Sequence, residues 1–160
     1  MSIYLSVVLP SYNEMKNIKR GVLEEVLTYL KKYPKTWELI LSDDGSTDGT
    51  NQALKDFAKK DERIRVLINP HRGKGPTVAS GMMAAQGEWR LFTDFDQSTP
   101  LKEIEQLFKY TDPILYSIGP ILYSLLVSSC MTKPCFISTA NNRWIVVRLI
   151  PDNRLISTAL

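Results

Sequence analysis

The chain has 160 residues, of which 44% are hydrophobic, 23% charged and 9% aromatic, a profile of one globular domain with a sizeable core that excludes disordered, collagenous and disulfide-built chains. Twenty basic against seventeen acidic residues leave a net charge of +3, too small and too dispersed for a nucleic-acid footprint, so no nucleic acid is expected as a partner. Cys130 and Cys135 have no second pair and no nearby histidine to complete a zinc set, and read as free thiols of a reducing cytoplasm.

The N-terminus shows neither a basic run nor a cleavage site and enters a strand almost at once, so no export signal is expected. Leu5 to Leu9, Trp37 to Ser42, Ile64 to Ile68 and Trp89 to Thr93 are short apolar runs, rich in β-branched and aromatic residues and ending at polar turn formers; they predict four strands. Between the first two, Ile18, Val22, Val26 and Leu30 recur every fourth residue with Leu23 and Leu27 beside them, while Lys16, Lys19, Lys31 and Lys32 lie outside the stripe. The spacing predicts one amphipathic helix ended by Pro34. Further helices are predicted around Ala53, Leu54, Phe57 and Ala58, around Val78, Ala79, Met82 and Met83, and around Leu101, Ile104, Leu107 and Phe108. The order βαβαβαβα calls for a parallel sheet with helices on both faces and ligands beyond the carboxyl ends of its strands.

Composition changes near Asp112. Every acid except Asp152 precedes residue 113, and residues 113–132 carry no charge and contain the echo PILYSIGPILYS. The run is long enough to span a membrane, although Pro113, Gly119, Pro120 and four serines suit a span poorly; a buried core segment and a tail that departs from its family stay open beside it. We therefore read 1–112 as one unit and 113–160 as a divergent tail with 113–132 as a candidate membrane-associated segment. Within the tail, Trp144 to Ile150 (WIVVRLI) is the best candidate for a strand that covers the open sheet edge.

All four strand ends carry distinctive chemistry: PSYNE at Pro10 to Glu14, DDGSTDGT at Asp43 to Thr50, NPHRGKG at Asn69 to Gly75, and DFDQSTP at Asp94 to Pro100. Asp48 suits a helix cap, Gly45 and Gly49 suit positive φ, and Pro100 suits a first helical turn. Capping leaves the pairs Asp43/Asp44 and Asp94/Asp96 unexplained. Four close carboxylates need cations or donors among them, and hard oxygen ligands suit Mg2+ or Mn2+. A Walker loop is excluded, because Ile68 stands where the motif, with four residues between its glycines, needs a glycine before Gly73, and Gly75–Pro76 follow Lys74 where Ser or Thr should stand. His71, between Pro70 and Arg72, reads as an exposed turn residue outside the chemistry.

The succession VVLPSYNE, DDGSTDGT, RGKG and DFD, in order and at strand ends, resembles the nucleotide-sugar half of the family 2 glycosyltransferases, in particular the dolichyl- and polyprenyl-phosphate mannose and glucose synthases. The resemblance runs from Ile3 to about Tyr110 and implies the GT-A fold, a Rossmann-like mostly parallel sheet, incomplete here at the C-terminus. It also implies roles. Pro10, Tyr12 and Glu14 contact the nucleoside, Tyr12 against the base and Glu14 at ribose hydroxyls, while Asp43 recognises the base edge and Asp44 and Asp48 organise their loop. Lys74 reaches a phosphate. Asp94, Phe95 and Asp96 form the DxD segment that contacts the nucleotide-sugar, with Asp94 shared between ribose and metal and Asp96 the metal ligand and catalytic residue; Gln97 is an auxiliary.

The implied activity is metal-assisted, inverting transfer of mannose or glucose from GDP-mannose or UDP-glucose to a polyprenyl phosphate or other acceptor, at the cytosolic face of a membrane. Past Asp112 no acceptor region or further base matches the family. A non-catalytic nucleotide-sugar-binding remnant, or a membrane-associated interaction protein, is therefore the alternative reading. Nucleotidyl transfer ranks lower, since PSYNE stands where such enzymes place a glycine-rich loop.

Overall fold

In a computed structural model, which describes residues 2–98 and 100–105 and the backbone of 145–149 and 155–159, the four apolar runs become parallel strands: β1 (Leu5–Ser11), β2 (Trp37–Asp43), β3 (Ile64–Ile68) and β4 (Trp89–Phe92). Every residue of β1 and β2 is buried, as central strands covered on both faces require. The sheet order is β3-β2-β1-β4, continued by β5 (Ile145–Leu149) and β6 (Leu155–Ala159). The strand expected within Trp144 to Ile150 is thus formed, and it covers the free edge of β4 in antiparallel register, Trp89 opposite Arg148 and Phe92 opposite Ile145.

Four helices are interleaved: α1 (Met15–Arg20), α2 (Val22–Lys32), α3 (Thr50–Ala58) and α4 (Lys74–Ala84). The single helix predicted from Ile18 to Leu30 is two. Gly21 takes φ 92° and its N–H caps α1 on the carbonyls of Asn17 and Ile18, a left-handed stop that glycine adopts without a β-carbon penalty. The apolar stripe nevertheless continues through α2, which buries Val22, Leu23, Val26, Leu27 and Leu30. Alternation along the strands then sorts the core. Leu5, Val7, Leu9, Leu39 and Leu41 pack with α2 and with Leu54 and Phe57 of α3, whereas Val8 and Ile40 pack with Val78, Met82 and Ala85 on the α4 side.

The α4 contact is close. A β-carbon on Gly81 would stand 2.4 Å from Cγ1 of Val8, so Gly81→Ala is expected to push α4 off the sheet and cost about 1–3 kcal/mol; a lower urea midpoint at unchanged slope checks it. Glu38, buried beneath the same helix, accepts from Ser6 Oγ (2.6 Å), Gln86 N (2.6 Å) and Arg65 Nη1 (3.0 Å), and so ties β2 to the turn that feeds β4. Buried ionised carboxylates persist only with such donors.

After β4, Leu101–Glu103 form a 3-10 turn that buries Leu101 and Ile104 in the larger core. Leu107, Phe108 and the segment 113–132 lie outside the described residues. Among the described residues no helix is long and apolar enough to cross a membrane.

Candidate active site

The parallel register sets Ser11 beside Asp43 and Asp43 beside Ile68, so the loops after the strands emerge together. They wall a cavity of about 480 Å³ lined by Pro10, Ser11, Tyr12 and Glu14 after β1, by Asp44 after β2, by His71, Gly73, Lys74 and Thr77 around the start of α4, and by Asp94, Phe95, Asp96 and Ser98 after β4. The first two loops are laced together. Asn13 N–H donates to Ser46 Oγ (2.8 Å), Thr47 N–H to Asn13 Oδ1 (2.9 Å), Glu14 N–H to Thr50 Oγ1 (2.9 Å) and Met15 N–H to Asp48 Oδ2 (3.2 Å). Asp48 also accepts from Thr50 N–H (3.0 Å), satisfying an orphan donor of α3 although the cap position itself is Gly49. Burial alone would raise the Asp48 carboxyl, but the bonds from Thr50 and Met15 outweigh it and hold it below the usual range.

Asp43 and Asp44 point to different places. Asp43, expected at the base edge, is fully buried and is not among the residues that line the cavity; its oxygens accept from Ser46 Oγ (2.5 Å), Ser46 N–H (2.8 Å) and Ser11 Oγ (3.1 Å). Asp44 faces the cavity and holds the loop before α4, accepting from Thr77 Oγ1 (2.8 Å), His71 Nδ1 (2.8 Å) and the N–H groups of Arg72 and Gly73 (both 2.9 Å). Burial would raise its carboxyl, and these four donors together hold it low. An ionised carboxylate only accepts, so Nδ1 of His71 carries the hydrogen and Nε2 is the ring's second polar atom. Gly45, at φ 72°, sits where a β-carbon would press within 3.2 Å of the backbone of Asn69 and His71, which is what allows the second and third loops to lie so close.

His71 is exposed, as its turn implied, and it forms part of the cavity wall. Its ring stacks on Tyr12, with centroids 4.3 Å apart and planes at 17°, and both line the cavity. Tyr12 is exposed. Ser11, Thr77 and Ser98 are further wall residues that the sequence reading did not single out. Thr77 had a visible signal, since it stands one helical turn after Gly73, where its Oγ1 also bonds the Gly73 carbonyl (3.0 Å).

On the fourth loop Asp94 is half-buried and Asp96 exposed, while Phe95 between them is turned into the core. Lys74 Nζ pairs with Asp94 Oδ1. Asp96 Oδ1 accepts from Ser98 N–H (2.9 Å), and Arg20 Nη2 donates to the Asp96 carbonyl (2.6 Å), fastening the loop to α1. Gln97, at φ 54°, donates Nε2 to the Asp94 carbonyl (2.9 Å) and does not line the cavity. Glu14 accepts from Asn17 Nδ2 (2.6 Å) at the rim.

The crowding of four carboxylates is thus resolved in two ways. Backbone and hydroxyl donors satisfy Asp43 and Asp44, leaving Asp94 and Asp96 as the pair with oxygens open to a ligand among the described residues. That pair fits a divalent cation: both donors are hard oxygens, and the Lys74 ammonium already stands as a cation on Asp94. No group of three or more His, Cys, Asp and Glu converges among the described residues. Two carboxylates completed by substrate phosphates is how magnesium and manganese are commonly held.

A mostly parallel sheet with helices on both faces and an acid-lined cavity at its strand ends is the arrangement of a GT-A domain. The profile described as "Glycosyl transferase family 2" matches residues 6–122, past Asp112, and the chain belongs to that family. It is 38% identical over 112 residues to the dolichyl-phosphate beta-glucosyltransferase of Saccharomyces cerevisiae, covering 66% of this chain and 33% of that protein. To the undecaprenyl-phosphate 4-deoxy-4-formamido-L-arabinose transferase of Pectobacterium atrosepticum it is 35% identical over 119 residues, covering 73% and 36%. Among solved structures, a mannosyltransferase from Pyrobaculum calidifontis in complex with GDP-Man and Mn2+ superposes with a TM-score of 0.60 at 25% identity, over 72% of this chain and 34% of that one. The chain spans about a third of the length of the curated relatives it matches.

Proposed function

We propose that this chain forms the donor site of an inverting family 2 glycosyltransferase that moves a hexose, mannose or glucose, from GDP-mannose or UDP-glucose to a polyprenyl phosphate. The observation that carries the reading is the convergence of all four strand-end loops on one cavity containing the Asp94/Asp96 pair. Relatives named for dolichyl- and undecaprenyl-phosphate transfer support the lipid-phosphate acceptor, and the GDP-Man and Mn2+ complex of the Pyrobaculum mannosyltransferase supports a divalent metal.

In this reading the Tyr12 ring lies against the base and Glu14 accepts ribose hydroxyls. Asp43 shapes the base wall from below by fixing the Ser46 turn. Asp94 serves ribose and metal, Asp96 holds the metal, and Lys74 engages the diphosphate. Held by Asp94 and Asp96, Mg2+ or Mn2+ would supply positive charge for the nucleoside diphosphate leaving group. A phosphate-monoester acceptor is already anionic at neutral pH and attacks without a protein base. A lipid-borne acceptor calls for reaction at a membrane surface, and we assign it to the cytosolic side.

Incubating the purified chain with labelled GDP-mannose or UDP-glucose, dolichyl phosphate and manganese, then extracting lipid, tests the assignment. Nucleotide binding that is lost with Asp96→Ala, with little or no label in the lipid phase, is the result expected of the donor half alone; robust transfer by the purified chain would show that it carries the acceptor machinery as well, and binding of neither nucleotide would contradict the assignment.

A further inference from the structure

The geometry points to Lys74 as a tethered counter-ion that competes with the metal for Asp94, so that metal and nucleoside diphosphate load together rather than independently. The inference rests on the donor-site reading above and adds to it an order of assembly.

The two candidate ligands are not equivalent. Asp94 is neutralised by the Lys74 ammonium. Asp96 receives the Ser98 amide on its carboxylate, while the nearby Arg20 guanidinium bonds the Asp96 carbonyl and not the carboxylate. Of the two carboxylates, Asp94 is the one bonded directly by a cationic group among the described residues, and that group belongs to an exposed side chain. Lys74 is the first residue of α4, its side chain is 62% exposed against 28% for Asp94, and both line the cavity. Its backbone does not have to move with it, because the preceding residues Arg72 and Gly73 are clamped by their N–H groups to Asp44.

A divalent cation arriving alone meets an ammonium already on one of its two ligands, and so encounters like charge where it needs an anion. A diphosphate in the cavity offers Lys74 a second anionic partner. When the ammonium turns to it, Asp94 is released to bind metal, and the metal in turn neutralises the diphosphate. By linkage the effect is reciprocal: whatever factor the nucleotide adds to metal affinity, the metal adds to nucleotide affinity.

The test is manganese binding, followed by the paramagnetic resonance of free Mn2+, for the full chain and for Lys74→Met, which keeps the aliphatic stem, with and without GDP or UDP. Lys74→Met is expected to bind Mn2+ alone about tenfold more tightly than the parent chain, and the tightening that the nucleotide gives the parent should shrink at least about fivefold. Lys74→Arg, which preserves the pair with Asp94, should keep the parent's coupling. If Lys74→Met binds Mn2+ alone no more tightly than the parent, including no measurable binding by either, the inference is overturned. The donor-site reading then still stands if the parent binds nucleotide with manganese. If the parent binds neither nucleotide with or without manganese, both fall.

Discussion

Asp96→Ala is expected to weaken manganese-dependent nucleotide binding by about a hundredfold or more, since even outer-shell partners of a metal typically contribute 10–100-fold. The fold should survive. Asp96 is exposed and, among the described residues, its carboxylate has one local bond, to Ser98 N–H, so the change in stability should stay within about 0.5 kcal/mol. Calorimetric titration with GDP and UDP in manganese, beside a thermal melt, separates the two effects. An equal loss of both would mean that Asp96 is structural.

Asp44→Ala should do the reverse. The carboxylate is 3% exposed and takes four donors that bind the second loop to the start of α4. Removing it leaves the Arg72 and Gly73 N–H groups without their acceptor and Thr77 Oγ1 with the Gly73 carbonyl in its place, at a cost of about 2–4 kcal/mol, and releases the His71 ring that backs Tyr12. The loss carries a pH signature. The folded Asp44 carboxyl is held below its ordinary value, so its contribution is fully present above the unfolded value of about 3.9 and is lost as pH falls through the folded one. Urea unfolding should therefore show a gap between parent and Asp44→Ala that is constant near neutrality and narrows below about pH 4. A gap that did not change with pH would mean the carboxylate is not held ionised.

These residues also show what the sequence could and could not disclose. The four parallel strands were legible because each apolar run ends at polar turn formers, and the site's location followed from the alternation of strand and helix. The break at Gly21 was hidden, since the four-residue period of Ile18, Val22 and Val26 runs straight through a residue whose φ leaves no trace in hydrophobicity. The exposure of His71 was legible from its turn between Pro70 and Arg72, but its place in the cavity wall was not, because its partners, Tyr12 and Asp44, lie on loops far upstream. For Asp43 and Asp44 the limiting information was strand phase. Leu39 and Leu41 face α2 and α3, so the alternation carries Asp43 to that side; Ile40 faces α4 and carries Asp44 there. Counting carboxylates likewise overlooked backbone donors, which cost nothing in sequence and satisfy two of the four acids.

The central claim is that the four loops make a working donor site. Titrating the folded chain calorimetrically with GDP and with UDP, each with and without manganese, tests it most directly. Saturable binding of one nucleotide that requires the metal is the predicted result; heat from neither nucleotide under any of the four conditions, in a sample shown to be folded by circular dichroism, would contradict it.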